Sequence, residues 1–268
     1  MEIPQKISLI GARPTNEDKE FILMNKDGKH KNFAPINLYA IFDGHGGASV
    51  SKYVHDNLPL LFLSKTFQYP LKPRQIKDAF NKVQSELATK KFSQHTGSTA
   101  IILITYTING ADYVNIYNLG DCRAVLCRNN LGIPLTKDHK PSFPEEIHRI
   151  TKLGGKITFD GIDWRIKDLS VSRAFGDLDT KPYVSHIPDN YNYRLDKDDK
   201  FIILACDGLW DAVNNQDAVN FVLNIYYDET TNNKLIKKRI NVAEELAKYA
   251  IAKGSTDNVS IIIIFLGC

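Results

Sequence analysis

The chain has 268 residues, 43% of them hydrophobic, which is enough for one large globular domain or two small ones. Its 34 Lys and Arg residues against 31 Asp and Glu leave a formal charge of +3, without a long basic block. Nucleic acid and anionic membrane surfaces are therefore not the expected partners. No low-complexity stretch interrupts the sequence, which favours a single domain over residues 1–268.

The N-terminus and the cysteines indicate where the protein acts. Residues 1–6 contain no apolar signal-peptide core, and Glu2 stands where N-myristoylation requires glycine. Apolar runs such as 261–266 are far too short to cross a bilayer. The four cysteines form no CxxC pair, which is typical of thiols in a reducing compartment. We expect a monomer without membrane association, in the cytoplasm or also in the nucleus.

Short apolar and β-branched segments predict eight strands. In chain order they cover residues 7–10, 21–24, 38–42, 99–107, 112–119, 123–127, 201–206 and 258–265. Asp27-Gly28, Asn109-Gly110 and Asn129-Asn130 lie between strands as hairpin-type turns, so much of the sheet should be antiparallel. Residues 201–205 are apolar on both faces, and such a strand must be covered on both sides.

Helical periodicity of apolar residues predicts five helices. They cover residues 48–63, 74–91, 145–153, 215–227 and 234–253. The short helix 145–153 has Pro144 at its start and Gly154-Gly155 at its end. Strand-rich segments with paired helices, rather than strict alternation, favour an α+β fold of two antiparallel sheets with helices outside.

Acidic residues recur beside the predicted strands. They are Glu17, Asp18, Asp43, Asp121, Asp207, Asp211 and Asp257. A single Asp-Gly is usually a turn. However, Asp43 and Asp207 each follow a fully apolar strand, where a carboxylate needs a cation, an arginine or several N–H donors to offset its desolvation. Because these acids would repel one another if gathered at one rim, a metal ion is their natural partner.

The donor atoms indicate which metal. No Cys/His set has zinc spacing, and acids offering only oxygen suit Mg²⁺ or Mn²⁺. Two such ions about 3.5–4 Å apart can share a carboxylate and a hydroxide, which is a hydrolytic arrangement. Arg13, on the first loop, either supplies a guanidinium for a phosphate or is a solvated surface arginine.

A rival phosphatase chemistry can be tested on the sequence. Cys122 and Arg128 match the C-x5-R spacing of cysteine-dependent phosphatases, whose loop must wrap a phosphate with backbone N–H groups. The five intervening residues are instead typical of a strand, so we interpret the match as chance. No Gly-x-Ser-x-Gly or Walker motif occurs.

The chain resembles the metal-dependent PPM/PP2C-type protein serine/threonine phosphatases over nearly its whole length. Eight segments match the family motifs in the family's order: 13–18 (RPTNED), 42–47 (FDGHGG), 96–100 (TGSTA), 118–123 (NLGDCR), 137–141 (KDHKP), 169–177 (LSVSRAFGD), 205–211 (ACDGLWD) and 255–258 (STDN). The resemblance implies a four-layer αββα sandwich of two antiparallel sheets, with the metal site at one end.

The resemblance also implies roles for individual residues. Asp43 would bridge two Mn²⁺ or Mg²⁺ ions, and the Gly44 carbonyl would bind the second ion. Asp207 and Asp257 would be ligands of the first ion.

The remaining acids and Arg13 have implied roles around these two ions. Glu17 and Asp18 would hold metal-bound waters. Asp121 and Asp211 would recruit a weaker third ion together with Asp207, and Arg13 would bind the phosphate.

Two histidines and a flap complete what the resemblance implies. His45 matches the proposed general acid for the leaving alkoxide, although a structural turn histidine is the alternative. His139 begins the family's variable flap, at about 138–166, and we expect a structural or substrate-facing role for it. Arg173, in the SRAFGD signature, is interpreted as scaffold, paired with a buried acid.

The predicted activity is hydrolysis of phosphoserine and phosphothreonine in phosphoproteins, by water and without a phospho-enzyme. The alternatives are a pseudophosphatase that acts as a binding module and a metal-dependent nuclease. The first would usually have lost a metal-site acid, and all are present. The second would be expected to have a basic, aromatic-lined groove, and residues 237–239 form the only basic run.

Overall fold

The computed structural model describes residues 3–65, 67–227 and 240–266. The strands are β1 (Gln5–Leu9), β2 (Lys19–Met24), β3 (Asn37–Phe42), β4 (Gly44–His45), β5 (Gly97–Ser98), β6 (Ala100–Ile108), β7 (Ala111–Leu119), β8 (Arg123–Arg128), β9 (Leu131–Pro134), β10 (Thr158–Phe159), β11 (Trp164–Arg165), β12 (Phe175–Gly176), β13 (Asp189–Arg194), β14 (Asp199–Ala205) and β15 (Val259–Phe265). The helices are α1 (Ser49–Phe62), α2 (Pro73–Leu87), α3 (Pro144–Lys152), α4 (Asp207–Trp210), α5 (Asn215–Tyr226) and α6 (Val242–Ala252), with 3₁₀ turns at Lys91–Gln94 and Leu178–Thr180.

Backbone contacts divide the chain into two compact units, each assembled from separate segments. The first unit comprises Met1–Asn16, Arg123–Thr136 and Arg194–Cys268, and the second comprises Glu17–Cys122 and Lys137–Tyr193. That both units belong to one domain stays a prediction.

The first unit is built on an antiparallel sheet with the strand order β1-β15-β14-β8-β9. Phe201, Ile203 and Ala205 of β14 belong to one apolar core with residues of α5 and α6, so these helices cover one face. The alternate residues Ile202 and Leu204 are also fully buried. Burial on both faces is what the continuous apolar run in this strand predicts.

The second unit contains another five-stranded sheet, with the order β13-β7-β6-β3-β2. Helices α1 and α2 pack on it, and the Phe62 ring stacks on Tyr117 with centroids 5.2 Å apart. The β6–β7 hairpin turns at Asn109 and Gly110, whose φ angles of 50° and 76° are those of a type I′ turn. This hairpin confirms the prediction from the Asn-Gly pair.

Most of the predicted elements are present, and the differences lie at element ends and edges. All eight predicted strands occur. Strand β13 (DNYNYR) was not predicted, because this edge strand is polar and contains no apolar run. Helix α6 begins at Val242, not before, because the Asn241 side chain accepts hydrogen bonds from the N–H groups of Ala243 and Glu244. Residues 234–239 of the predicted helix lie outside the described residues.

The predicted flap contains α3 and the β10–β11 hairpin, and its Ile150 and Ile166 share a small apolar core with Val171, Ala174 and Val184. Gly154, with φ of 81°, ends α3 in the left-handed conformation that the Gly-Gly pair predicts. Among the described residues, no helix combines the length and the apolar character needed to cross a membrane.

Candidate metal centre and active site

In the second unit, the pairing of the strands brings three predicted metal-site acids to one edge of the sheet. Lys19 at the start of β2 pairs with Phe42 at the end of β3, so Asp18 and Asp43 flank the same position. Leu119 at the end of β7 pairs with Ala100, the first residue of β6, and Asp121 follows two residues later. Since β6 is also the neighbour of β3, the three acids meet at this edge.

The three carboxylates are close together, and those of Asp18 and Asp121 are buried. Asp43 has a carboxylate oxygen within 4.8 Å of one from Asp18 and of one from Asp121. Asp18 is 5% exposed and Asp121 is 1% exposed. Asp121 Oδ1 is buried and has no hydrogen-bond partner in the part of the chain that the structure describes. Negative charges so placed repel one another unless a cation lies among them.

Lys140 supplies one positive charge to this cluster. Its Nζ forms an ion pair with Asp121 Oδ2, and the lysine side chain is only 19% exposed. Because Lys140 comes from the start of the flap, the flap contributes directly to the electrostatics of the acidic edge.

Cys122 adjoins the same acids and is unsuited to be a nucleophile. Burial and, next, the charge of Asp43 raise the pKa of its thiol well above the ordinary value. Residues from Arg123 to Arg128 form strand β8 rather than a phosphate-binding loop. Both observations support the interpretation of the C-x5-R spacing as chance, since that chemistry requires a thiolate in a loop.

Glu17 and Gly44 are fixed by the start of α1. The Gly47 N–H donates to Glu17 Oε2 at 2.9 Å, and the Ser51 hydroxyl donates to the Glu17 carbonyl. A Cβ on Gly44 would collide with that carbonyl and with Ser51 Oγ. Position 44 therefore has to be glycine for the chain to pass the Glu17 loop so closely.

His45 is paired with Asp177, the last residue of the SRAFGD motif. His45 Nε2 lies 2.8 Å from Asp177 Oδ2, and Asp177 is 2% exposed. The imidazole is thereby held by a buried carboxylate. No local pattern points to this pair, since its partners are 132 residues apart.

In the first unit, Asp207 and Asp257 lie at one edge of the other sheet. Asp207 follows β14 as the first residue of α4, and Asp257 precedes β15, the antiparallel neighbour of β14. The Ser255 hydroxyl donates to the Gly208 carbonyl at 2.6 Å, which joins the two loops. Asp211 lies one turn beyond Asp207 at the end of α4 and is exposed.

Arg13 contacts one of these predicted ligands. Its guanidinium Nη2 lies 2.6 Å from Asp257 Oδ2, and the two side chains are 56% and 37% exposed. The side chain of Asn258 donates to the carbonyls of Ile10 and Thr15, so the Arg13 loop is held against the Asp257 loop. The family resemblance implies that Arg13 binds phosphate, and in the structure its guanidinium is paired with Asp257.

The flap is held by a buried ion network around Glu146. Arg173 and Arg149 both donate to its carboxylate, with closest distances of 2.6 Å each. Arg173 also donates to Asp189 at 2.7 Å. Burial opposes ionisation of Glu146, but the two arginines outweigh it and lower the pKa to about 2. Arg173 is thus paired with a buried acid, as the sequence interpretation has it.

His139 is 3% exposed and links the flap to the loop that carries Asp121. The Gly120 N–H donates to His139 Nδ1 at 3.0 Å, and Nε2 lies 3.1 Å from Asp189 Oδ2. With Nδ1 as acceptor, the ring proton of the neutral imidazole is on Nε2. Of the two roles predicted for His139, the structural one fits this burial.

Known proteins match this chain over most of its length. Residues 7–259 match the family model described as protein phosphatase 2C. The PP2C-like domain-containing protein R307 of Acanthamoeba polyphaga mimivirus is 52% identical over 167 residues, which cover 57% of this chain and 93% of that protein. Probable protein phosphatase 2C 59 of Arabidopsis thaliana is 35% identical over 239 residues, which cover 85% of this chain and 70% of that protein.

Solved structures share the fold. A C. elegans sex determining protein aligns with a TM-score of 0.83 and 25% identity, over 99% of this chain and 65% of that one. Serine-threonine phosphatase 2C from Toxoplasma gondii aligns with a TM-score of 0.78 and 23% identity, over 98% of this chain and 94% of that one. The predicted α+β fold with antiparallel sheets and helices is confirmed. By the family match and its relatives, the chain belongs to the protein phosphatase 2C family of protein serine/threonine phosphatases, which are hydrolases.

Proposed function

We propose that this protein removes phosphate from phosphoserine and phosphothreonine residues of protein substrates, in a reaction that depends on Mn²⁺ or Mg²⁺. The crowding of Asp18, Asp43 and Asp121 at one sheet edge carries the proposal. Three mutually repelling carboxylates are stabilised by a hard divalent cation, and phosphate is the anion that such a cation would bind.

The residues present fit divalent cations. Asp43, with carboxylates on both sides within 4.8 Å, is suited to hold two ions, and the Gly44 carbonyl would bind one of them. Asp207 and Asp257 would complete the first ion's ligands, and Glu17 and Asp18 would act through waters. The buried Asp121 Oδ1 offers an acceptor for a weaker third ion, together with Asp207 and Asp211. When bound, the ions supply an activated water and charge to offset that of the phosphate.

The side chains of this protein have separate tasks in the reaction. Arg13 binds the phosphate by exchanging its contact with Asp257, since both are charge-assisted bonds to oxygen. His45 gives a proton to the oxygen of the leaving serine or threonine. Water is the nucleophile and no phospho-enzyme forms, and the raised pKa of the buried Cys122 thiol is in keeping with this.

The expected setting is a reducing compartment, the cytoplasm or also the nucleus, with the protein acting as a monomer on phosphoproteins and not on nucleic acid. Cys122, Cys127 and Cys206 are buried and unbridged, in keeping with that setting. The pseudophosphatase alternative is not favoured, because all the acids of the predicted site are retained.

The test is metal-dependent turnover by the purified chain. A phosphothreonine peptide and p-nitrophenyl phosphate should be hydrolysed after addition of Mn²⁺ or Mg²⁺, and EDTA should stop both reactions. Asp207→Ala and Asp257→Ala should abolish turnover, whereas Asp27→Ala, at an exposed turn, should not. Binding of Mn²⁺ without hydrolysis would instead establish the pseudophosphatase, and turnover that survives chelation would refute the metal site.

A further inference from the structure

Asp177, the partner of His45, has no assigned role in the proposed reaction. Asp177 ends the SRAFGD motif, and its carboxylate is the nearest acidic partner that the structure gives to the His45 ring. His45 is 27% exposed at its side chain, while the carboxylate of Asp177 is 2% exposed. A partly exposed ring held by a buried acid has a fixed orientation.

We propose that Asp177 is a positioning residue for His45, holding the imidazole so that Nδ1 faces the leaving oxygen of the substrate. The inference rests on the proposed function, because it assigns Asp177 a task within that reaction. The observations behind it are the positions of His45 and Asp177 relative to the short strands β4, β5 and β12.

A separate three-stranded sheet, in the order β12-β5-β4, brings the two partners together. Gly97 of β5 pairs with His45 on one side and with Gly176 on the other. Asp177 is the next residue, so its side chain reaches His45 across Gly97. A Cβ at position 97 would collide with both Asp177 Oδ2 and His45 Nε2, and glycine leaves the space in which they meet.

The backbone of Asp177 is held in an unfavourable conformation at this point. Its φ of 47° and ψ of 49° are left-handed, which costs a non-glycine residue about 1 kcal/mol or more. The Asp177 N–H donates to the Thr96 carbonyl at 3.1 Å, and the Thr180 hydroxyl donates to the Asp177 carbonyl at 2.7 Å. These bonds hold the conformation that directs the carboxylate to His45.

The residue before Asp177 is fixed from a third direction. The side-chain amide of Gln84, on α2, accepts from the Gly176 N–H at 3.0 Å and donates to the Gly176 carbonyl at 3.4 Å. Helix α2, strand β5 and the 3₁₀ turn at Leu178–Thr180 therefore all restrain the position of the Asp177 carboxylate. Such restraint is what a group that orients a reacting side chain requires.

The contact determines which nitrogen can react. Since a carboxylate only accepts, the Nε2 proton of His45 is directed to Asp177, and the second proton of the imidazolium, on Nδ1, is left for the substrate. In the step, the oxygen of water forms a bond to phosphorus as the bond from phosphorus to the serine oxygen breaks. The electron pair stays on the serine oxygen, which takes the Nδ1 proton. The proton lost by water replaces it, so phosphoester and water give alcohol and inorganic phosphate.

The experiment compares two substrates that differ in their need for that proton. The leaving p-nitrophenolate is stable as an anion, whereas a serine alkoxide must be protonated. Asp177→Asn should lower kcat on a phosphoserine peptide by about 10- to 100-fold, within the range of general acid catalysis. It should lower kcat on p-nitrophenyl phosphate by no more than about threefold, a loss that leaves the acid-independent part of the reaction intact.

Two further variants sharpen the result. His45→Gln should show the same substrate dependence. The double variant, His45→Gln with Asp177→Asn, should lose no more activity than His45→Gln alone, because Asp177 acts through His45. Asp179→Asn, two residues away and 28% exposed, is the matched control and should retain activity on both substrates.

The results that would contradict the inference differ from those that would contradict the proposed function. An equal loss of kcat on both substrates, or additive losses in the double variant, would show that Asp177 has only a structural role. Either result would overturn the inference and leave the proposed phosphatase function unaffected. Absence of turnover by the unmodified chain would refute both the inference on Asp177 and the proposed phosphatase function. Should Asp177→Asn fail to fold, nitrogen-15 NMR of the unmodified protein decides: at a pH where the ring is neutral, a proton on Nδ1 rather than Nε2 of His45 would overturn the inference.

Discussion

Asp121 and Glu146 are almost equally buried, at 1% and 2% exposure, yet their surroundings differ. Glu146, in the flap, has both carboxylate oxygens in contact with arginine, Oε1 with Arg173 and Oε2 with Arg149. Asp121, at the sheet edge, has Lys140 on one oxygen, while its Oδ1 has no hydrogen-bond partner among the residues described. Both carboxylate oxygens of Glu146 therefore accept from arginine, whereas one carboxylate oxygen of Asp121 has no donor among the described residues.

The difference separates a structural acid from a candidate metal ligand. A buried carboxylate that only supports the fold is stabilised when every lone pair has a donor, because an unmade bond leaves its desolvation uncompensated. An acid that keeps a buried oxygen open, next to Asp43, bears that cost in the unliganded protein. A divalent cation would remove the cost, which is why the sheet edge rather than the flap is the proposed binding site.

The largest effect is expected from a substitution within the acidic sheet edge itself. Asp43→Asn should lower kcat by at least about 1000-fold, because the ions supply several kcal/mol of transition-state stabilisation. Its Tm should not fall, since the repulsion from Asp18 and Asp121 is relieved. Steady-state kinetics and calorimetry measure both quantities, and Asp27→Asn, at an exposed turn, serves as control. Activity close to that of the unmodified chain would exclude Asp43 as the bridging ligand.

The second effect concerns stability rather than turnover. Glu146→Gln keeps the shape but removes the charge between two arginines, and should lower the free energy of unfolding by about 3 kcal/mol at pH 7. For a chain of this length, that corresponds to a fall in Tm of about 5 °C. Glu145→Gln, on the same helix and 65% exposed, should leave Tm unchanged.

The pH dependence of that difference follows from the pKa of Glu146. Because its pKa is lowered from 4.5 to about 2 on folding, the ion network stabilises the protein fully above about pH 4.5. The contribution is lost as the pH falls toward 2, so the two proteins should converge in stability on acidification. A difference in Tm that stays constant from pH 7 to pH 3 would contradict the assignment.

The smallest expected effect is a change in cation affinity on substitution of Lys140. Lys140→Met removes the ammonium group from Asp121, and a cation should then bind there more tightly, by about tenfold if the pair is worth about 1.4 kcal/mol. Titration with Mn²⁺, followed by calorimetry or electron paramagnetic resonance, measures the affinity without reference to turnover. Lys137→Met, which loses an exposed pair with Glu145, is the control. Unchanged or weaker Mn²⁺ binding would show that Lys140 does not compete with the cation.

Local patterns in the sequence predicted most of the secondary structure. The run 201–206 and the Asn109-Gly110 turn are properties of a few adjacent residues, and both occur as predicted. The prediction failed where local signals are weak or competing. Strand β13 is polar because it lies at a sheet edge, and α6 starts late because Asn241 caps it. The placement of acids beside strand ends was likewise evident in the sequence.

The sequence by itself determined the fold class, the family and the acids that end the strands, because each depends on short motifs or on their order. Only the tertiary structure decided which ionisable groups become partners. Asp177 meets His45 across Gly97, Lys140 meets Asp121, and Arg13 meets Asp257, 244 residues away. These choices depend on which strands lie side by side and how closely their backbones approach, and charge interactions act through space without regard to distance along the chain.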